Sequence, residues 1–302
     1  MKVIVTGAAG FIGSHLMKRL DANDDYQPTG LDLRYDITCK PNECYGDIRH
    51  LDWPWEEFRG QDACIHLAAL ASPRRSMEHP QEYIDTNITG TLNVLEACRQ
   101  FGVKRFIFAS SSSVYGKHNY IMSEDLCCNP MSPYAASKVA GEALCDVYRM
   151  AYGVSTSMLR FFTVYGPRCR PEMAIGKFIR LAMRDKPLPI YGSGEQQRDF
   201  TYIDDVVSGI VAAMEELPED SGAGLFNIAG GHPVSVNTVV SLLGKIMGKK
   251  LHCVHEDAMP GDPPITRADT EWAFDRLGWR AKTAIEDGLY KTVKWFEEHP
   301  DA

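Results

Sequence analysis

Tyr134 and Lys138 stand four residues apart in Tyr134-Ala-Ala-Ser-Lys138, a spacing that puts a phenol and an ammonium on one face of a helix. A tyrosine hydroxyl ordinarily holds its proton to about pH 10. A fixed positive charge beside it favours the phenolate. Such a pair can pass a proton to and from an alcohol while another group takes the hydride. Upstream, the apolar run Lys104–Ala109 ends in four hydroxyls, Ser110-Ser111-Ser112-Ser113. Alone, each feature is ordinary, because Tyr-x-x-x-Lys pairs occur on plain helix surfaces and serine clusters are commonly loops. Their meaning depends on the elements that position them.

The first of these opens the chain. Lys2-Val-Ile-Val-Thr6 is a β-branched run consistent with a buried strand, and it leads straight into Gly7-Ala-Ala-Gly10-Phe11-Ile12-Gly13. A helix follows, with Phe11, Ile12, Leu16 and Leu20 at helical spacing. Strand, glycine turn and helix make a phosphate cradle, in which backbone N–H groups at the helix start face an anion and missing side chains allow close approach. The spacing is G-x-x-G-x-x-G, a departure from G-x-G-x-x-G. A second strand, Tyr26 to Leu31, ends at Asp32, an acid about 20 residues past the glycines that can accept from ribose hydroxyls and repels a 2′-phosphate. That favours NAD over NADP, although Arg34, after Leu33, is a cation able to accommodate the extra phosphate. Asp47-Ile48 falls in a turn where an adenine edge can be read. The strand Ala63–Ala69 ends in small residues that leave room for a cofactor, with Leu67, Ala68 and Ala69 as its expected contacts, and His66 within it reads as a satisfied core histidine.

Arg74 and Arg75 then fall in a loop before a helix around Pro80 to Arg99, and Val154 to Phe161 supplies another strand. Successive strand ends of a parallel sheet converge on one rim, which is where the serines and Tyr134 meet. The alternation breaks at Thr163-Val-Tyr-Gly-Pro-Arg168-Cys-Arg170. Beyond it come a helix at Met173–Arg184, Ile190-Tyr-Gly, Arg198 to Tyr202, and helices at Asp204–Glu216 and Val236–Met247. The fold class expected is α/β, a doubly wound parallel sheet with a smaller C-terminal substrate-binding domain. The expected boundaries are 1–163 for cofactor binding, with return segments near 199–217 and 252–269, and 164–302 for substrate. Arg168, Arg170 and Arg198 suit a phosphate or carboxylate, since a guanidinium fork matches either anion. Trp272, Phe274, Leu277 and Trp279 read as core packing.

At 302 residues, 44% hydrophobic and 24% charged, the composition is that of an ordinary globular protein with a sizeable core. The net charge of −8 offers no general attraction for nucleic acid or anionic membrane, so an anionic substrate must be met by local cations. The nine cysteines are irregularly spaced, with no C-x-x-C pair, and read as reduced cytosolic thiols, consistent with a cytoplasmic protein. The N-terminal run reads as a strand rather than a signal peptide. No apolar run approaches the roughly 20 residues of a membrane-spanning helix, and no metal site is expected.

The segments TGAAGFIG, HLAAL, DTNITGT, SSSSVYG, YAASK, RFFTVYGP and RDFTYIDD occur in this order along nearly the whole chain. In them the chain resembles the extended short-chain dehydrogenase/reductase family, whose cofactor-binding part is a Rossmann-type sheet, and within it the nucleotide-sugar epimerases. The resemblance implies NAD contacts at Gly7, Gly10, Phe11, Ile12, Gly13, Asp32, Asn87, Tyr134 and Lys138, and a catalytic Ser111 beside Tyr134 and Lys138. It places Arg198 on a nucleotide diphosphate and Asp262 near the nucleotide end; Met259 replaces an arginine of UDP-galactose epimerases, and Arg74, from its loop at the carboxyl edge of the sheet, is a further expected substrate contact. Sugar 4,6-dehydratases carry Asp-Glu where this chain has Ser112-Ser113, and two serines make a poor acid and base for losing water. UDP-glucuronate decarboxylases usually have Glu at the second position. SSSSVYG with RFFTVYGPRCRPEM looks most like UDP-glucuronate 4-epimerases, in which the matching Ser112, Ser113, Thr163 and Arg170 surround the sugar carboxylate. The resemblance thus implies NAD-dependent 4-epimerisation of a UDP-sugar, UDP-glucuronate first, by a homodimer. Neutral UDP-hexose epimerisation is the next expectation, then 4,6-dehydration, and last a non-catalytic NAD sensor.

Overall fold

The computed structural model describes residues 1–35, 42–50, 55–118, 120–218, 222–258 and 263–300; Cys39, Met259 and Asp262 lie outside them. The first part of the chain alternates strand and helix as β1 (Lys2–Thr6), α1 (Phe11–Asp21), β2 (Gln27–Asp32), β3 (Glu43–Tyr45), β4 (Ala63–His66), α2 (Pro73–Glu78), α3 (Pro80–Tyr83), α4 (Gly90–Phe101), β5 (Arg105–Ser111), α5 (Pro133–Tyr152) and β6 (Ser155–Phe161). One turn of π-helix, Ile84–Thr89, joins α3 to α4 in place of the uninterrupted helix expected there. The remainder holds β7 (Thr163–Tyr165), α6 (Ala174–Met183), β8 (Leu188–Tyr191), β9 (Gln197–Arg198), β10 (Phe200–Tyr202), α7 (Ile203–Glu216), β11 (Ala223–Ile228), β12 (Val234–Ser235), α8 (Val236–Ile246), β13 (Cys253–Glu256), α9 (Glu271–Leu277) and α10 (Ile285–Glu298).

Seven strands form one parallel sheet in the order β11-β6-β5-β4-β1-β2-β3. Side chains alternate across it. Val3 and Val5 pack on one face with Leu16 of α1 and Ile210 of α7, while Ile4 packs on the other with Val94 of α4 and Cys145 of α5. Helices on both faces explain why the middles of β1, β4 and β5, residues 3–5, 63–65 and 106–109, are continuously apolar. The strand order reverses between β1 and β4, so their carboxyl ends open a crevice there.

Three expectations change. β11 joins the main sheet beside β6, at residues not marked as a strand from sequence. Within the return segment near 252–269, β13 pairs with β8 in a separate two-stranded sheet; contact with the first part comes later, through the bridge between Met122 and Ala268. Trp279 is buried, but Trp272 and Phe274 are exposed, each with a guanidinium over its ring, Arg276 at 5.3 Å and Arg280 at 3.9 Å.

Candidate active site

A groove of about 960 Å³ follows that crevice from Asp32 to Lys138, at the upper end of the roughly 300–1,000 Å³ range of ligand pockets. Its floor begins at the glycine turn. Gly7 has φ +71°, and a Cβ there would lie 2.6 Å from the Ala68 nitrogen, so only glycine lets the turn sit against the end of β4. α1 starts at Gly10 with no side-chain cap and no acidic residue in its first turn. Its free N–H groups and dipole therefore face the groove, the arrangement that holds a diphosphate. Asp32 is buried at the end of β2, where its Oδ2 accepts from the Ala9 N–H (3.0 Å) and its Oδ1 from the Arg34 N–H (3.0 Å). Asp47 is held likewise by Arg49, through the backbone N–H at 3.0 Å and the guanidinium at 2.5 Å. Leu33, Ile48, Leu67, Ala68 and Ala69 complete this half. Open cradle, apolar walls and ribose-side acid together fit an adenine dinucleotide.

The other half carries the hydroxyls. β5 ends at Ser111, whose extended backbone caps the short 3₁₀ turn Ser112–Tyr115; its Oγ accepts from the Ser113 N–H (3.2 Å) and the Ser113 hydroxyl (2.9 Å). α5 starts just after Ser132, which accepts from the Ala135 N–H, with Pro133 in the first helical position. Tyr134 is thus in the first turn. A methyl at Gly141 would overlap the Phe108 ring, so glycine lets α5 lie close on β5. That close packing brings the Lys138 ammonium over Phe108 (4.9 Å) and onto the Ala109 carbonyl (2.7 Å).

The electrostatics differ from the sequence expectation. Burial lowers the Lys138 pKa to about 8. Burial also raises Tyr134 above its ordinary value, and the two influences that oppose it are the Ser111 hydrogen bond and the Arg170 charge. Lys138 is not among them, because its ammonium is drawn to Ala109. Arg170 donates to the Ala71 carbonyl (2.9 Å) and pairs with Glu172 (3.3 Å) while lining the groove.

Ser111, Ser112, Ser113, Tyr134, Thr163 and Arg170 therefore meet at one end. Three expected contacts do not join them. Asn87 is 1% exposed, and protein uses both ends of its amide: Nδ2 donates to the Leu70 carbonyl and Ser137 hydroxyl, and Oδ1 accepts from the Leu70 N–H. These bonds fix the Leu70 backbone at the wall of the groove. Arg74 lies over the Tyr191 ring (5.8 Å) and Arg198 donates to the Gln197 carbonyl (2.6 Å), both outside the groove lining. Asp262 lies outside the described residues. His66 is a satisfied core residue. Thr91 donates to the Asn87 carbonyl, so His66 Nε2–H donates to Thr91 (3.0 Å) and Nδ1 accepts from Thr6 (2.6 Å). Burial lowers its pKa to about 3.

The family model described as NAD dependent epimerase/dehydratase family matches residues 3–229. A UDP-glucuronate 4-epimerase from Thermodesulfobacterium geofontis is 39% identical, covering 98% of this chain and 96% of its own. The chain belongs to the NAD dependent epimerase/dehydratase family. Two solved structures of similar chains are the UDP-glucuronic acid 4-epimerase from Bacillus cereus in complex with UDP-glucuronic acid and NAD (37% identity, 99% of this chain and 100% of that one, TM-score 0.91) and the UDP-glucose 4-epimerase from Thermotoga maritima with UDP-glucose (32% identity, 100% of both, TM-score 0.92).

Family membership also directs attention to side chains that sequence reasoning passed over. Arg49 repeats at Asp47 the pairing of Arg34 with Asp32, a signal visible as Asp-x-Arg after two strands. Arg160 of β6 and Glu142 of α5 form a buried pair under the serines (2.8 Å), joined by Ser110 Oγ (2.5 Å). Nothing local in the sequence pairs them.

Proposed function

We propose that the protein interconverts UDP-glucuronate and UDP-galacturonate by NAD-dependent epimerisation at C4. The observation that carries this is the meeting of Tyr134 and Ser111 with Ser112, Ser113, Thr163 and Arg170 at one end of a groove whose other end fits a dinucleotide. Gly7, Gly10, Phe11, Ile12, Gly13, Asp32, Arg34, Asp47 and Ile48 hold the cofactor. NAD, when bound, supplies the acceptor and donor of hydride for the sugar C4. Tyr134 takes the C4 hydroxyl proton and gives it back, and Ser111 donates a hydrogen bond to the same oxygen throughout, keeping it in line. Lys138 supplies positive charge beneath this pair. A 4-keto uronate is a β-keto acid and loses CO2 when its carboxylate aligns with the carbonyl π system. Hydroxyls of Ser112, Ser113 and Thr163 and the Arg170 guanidinium hold that carboxylate out of alignment. Two features go with this reading: a substrate part after residue 163 with later returns to the sheet, and a homodimer through the exposed Leu92, Val147 and Met150 of α4 and α5.

Incubating the enzyme with UDP-glucuronate, UDP-glucose and UDP-N-acetylglucosamine in parallel, with products resolved by chromatography and mass spectrometry and CO2 monitored, tests the proposal. Equilibration of UDP-glucuronate with UDP-galacturonate and no CO2 is expected. Arg170→Ala should lower kcat/KM for UDP-glucuronate by ~10- to 100-fold, as expected for a charged hydrogen bond, and any UDP-glucose turnover far less. Equal losses on both sugars, or turnover of neutral sugars alone, would refute the uronate assignment.

A further inference from the structure

We propose that Arg168 is a diphosphate-binding residue that places its guanidinium against the diphosphate of the dinucleotide at the start of α1. The inference rests on the dinucleotide reading above and adds to it a residue from the loop after β7.

Six cationic side chains line the groove, and five are already engaged. Arg34 pairs with Asp32 (3.3 Å), Arg49 with Asp47 (2.5 Å), and Lys138 donates to Ala109 (2.7 Å). Arg170 bonds Ala71 and Glu172, and Arg180 stacks on Phe296 (4.4 Å) and donates to the Cys169 carbonyl (3.5 Å). Arg168 is exposed, and among the described residues no hydrogen bond or ion pair holds its guanidinium. It is the groove's uncommitted charge.

Its backbone makes the same point. Arg168 has φ +64°, a left-handed conformation that side chains rarely adopt and that glycine takes without strain. Pro167 before it is fastened to α1, where His15 Nε2–H donates to its carbonyl (2.9 Å). The arginine charge is felt at His15, which burial chiefly, and Arg168 in part, disfavours from protonation. His15 lies one turn beyond the uncapped start of α1, so the strained residue is tied to the helix whose N–H groups meet the diphosphate. A dinucleotide diphosphate carries two negative charges, and the cradle itself contributes only backbone dipoles. A guanidinium across from it supplies charge and a bidentate fork. The sugar nucleotide has a diphosphate too, but Arg170, two residues on, acts on Tyr134 at the sugar end, whereas Arg168 follows the residue fastened to α1 and its charge reaches His15 on that helix.

Calorimetric titration of nucleotide-free protein with NAD+, ADP-ribose and UDP-glucuronate, in wild type, Arg168→Gly and Arg168→Lys, tests this together with thermal melts. Arg168→Gly should bind NAD+ and ADP-ribose ~10- to 100-fold more weakly, keep its UDP-glucuronate affinity, and melt at an equal or higher temperature because the strain is gone. Arg168→Lys should recover part of the affinity. Unchanged NAD+ affinity in Arg168→Gly overturns the proposal, as does weakening confined to UDP-glucuronate, which would place the cation on the substrate diphosphate. A lowered melting temperature with loss of both ligands also overturns it, since local unfolding then accounts for the effect. Failure of wild type to bind NAD+ at all would instead remove the dinucleotide reading, and this inference with it.

Discussion

Arg160 and Lys138 are both buried cations beside Glu142, yet they are held in opposite ways. Arg160 donates through Nε to Glu142 Oε1 (2.9 Å) and through its terminal nitrogen to Oε2 (2.8 Å), lies over the Tyr115 ring (4.7 Å) and reaches the Glu124 carbonyl (3.3 Å). Burial works against its charge, but the bonds to Glu142 outweigh that and hold its pKa above the ordinary arginine value. Lys138 has a carbonyl and an aromatic face, and the more distant Glu142 only partly offsets its desolvation. One carboxylate thus locks the structural cation and leaves the other charged at neutral pH but titrating just above it. A bidentate partner fixes a buried charge, whereas a single neutral acceptor leaves it titratable.

Removing the shared carboxylate breaks the comparison at its centre. Glu142→Leu strands Arg160 in the sheet and should lower unfolding free energy by about 3–5 kcal/mol in denaturant titrations. Adding Arg160→Met should recover most of the loss, since an apolar pair of similar volume replaces the ionic one. If the double variant is no more stable than Glu142→Leu alone, the pair is not what holds β6 to α5.

Lys138 gives the next largest effect, through pH. Its pKa falls from 10.5 in the free side chain to about 8 in the fold, so between those values the unfolded chain binds the proton that the native protein has released. Stability contributed by this group therefore rises with pH across that window, by about 3 kcal/mol at most. Lys138→Met should abolish the rise, seen as a wild-type-minus-variant stability difference that is more positive at pH 10 than at pH 7. Parallel stability curves for the two proteins would mean that Lys138 is as well hydrated as an ordinary lysine.

Legibility from sequence follows the range of the interactions. The β1–glycine–α1 unit, Asp32, the Ser111 turn and Tyr134 at the head of α5 are specified by neighbours in the chain: a glycine at φ +71°, a Ser132 cap, a Pro133 start. The carboxylate-side group was recognisable only through resemblance. β11 was passed over because Gly224 and Asn227 interrupt its apolar pattern, and its fit depends on distant groups, the Asn227 amide donating to Met122 and Asp269 and its N–H to Glu124. Nothing local to Asn87 shows that its amide bonds Leu70 and Ser137. Arg74 was placed by its position at the carboxyl edge of the sheet and Arg198 by resemblance, and neither reading could show that Arg74 lies over Tyr191 or that Arg198 donates to the Gln197 carbonyl.

The smallest effect concerns Tyr134 itself, and it decides whether the comparison bears on catalysis. Burial raises the phenol, and Ser111 and Arg170 only moderate that rise. In nucleotide-free protein Tyr134 should accordingly stay protonated past about pH 10, measured as the ultraviolet phenolate difference between wild type and Tyr134→Phe. Arg170→Ala should push the titration higher still, because it removes the opposing charge. NAD+ should move it down, since its positive ring adds a cation near the buried phenol, where desolvation strengthens every charge. Ionisation of the base would then be assembled by the ligand, and Lys138, bound to the Ala109 carbonyl, would gain its full effect only once a bound hydroxyl becomes its partner. A phenolate already present near neutral pH without nucleotide, and lost in Lys138→Met, would show the opposite: that the lysine alone controls the tyrosine, as the four-residue spacing first suggests.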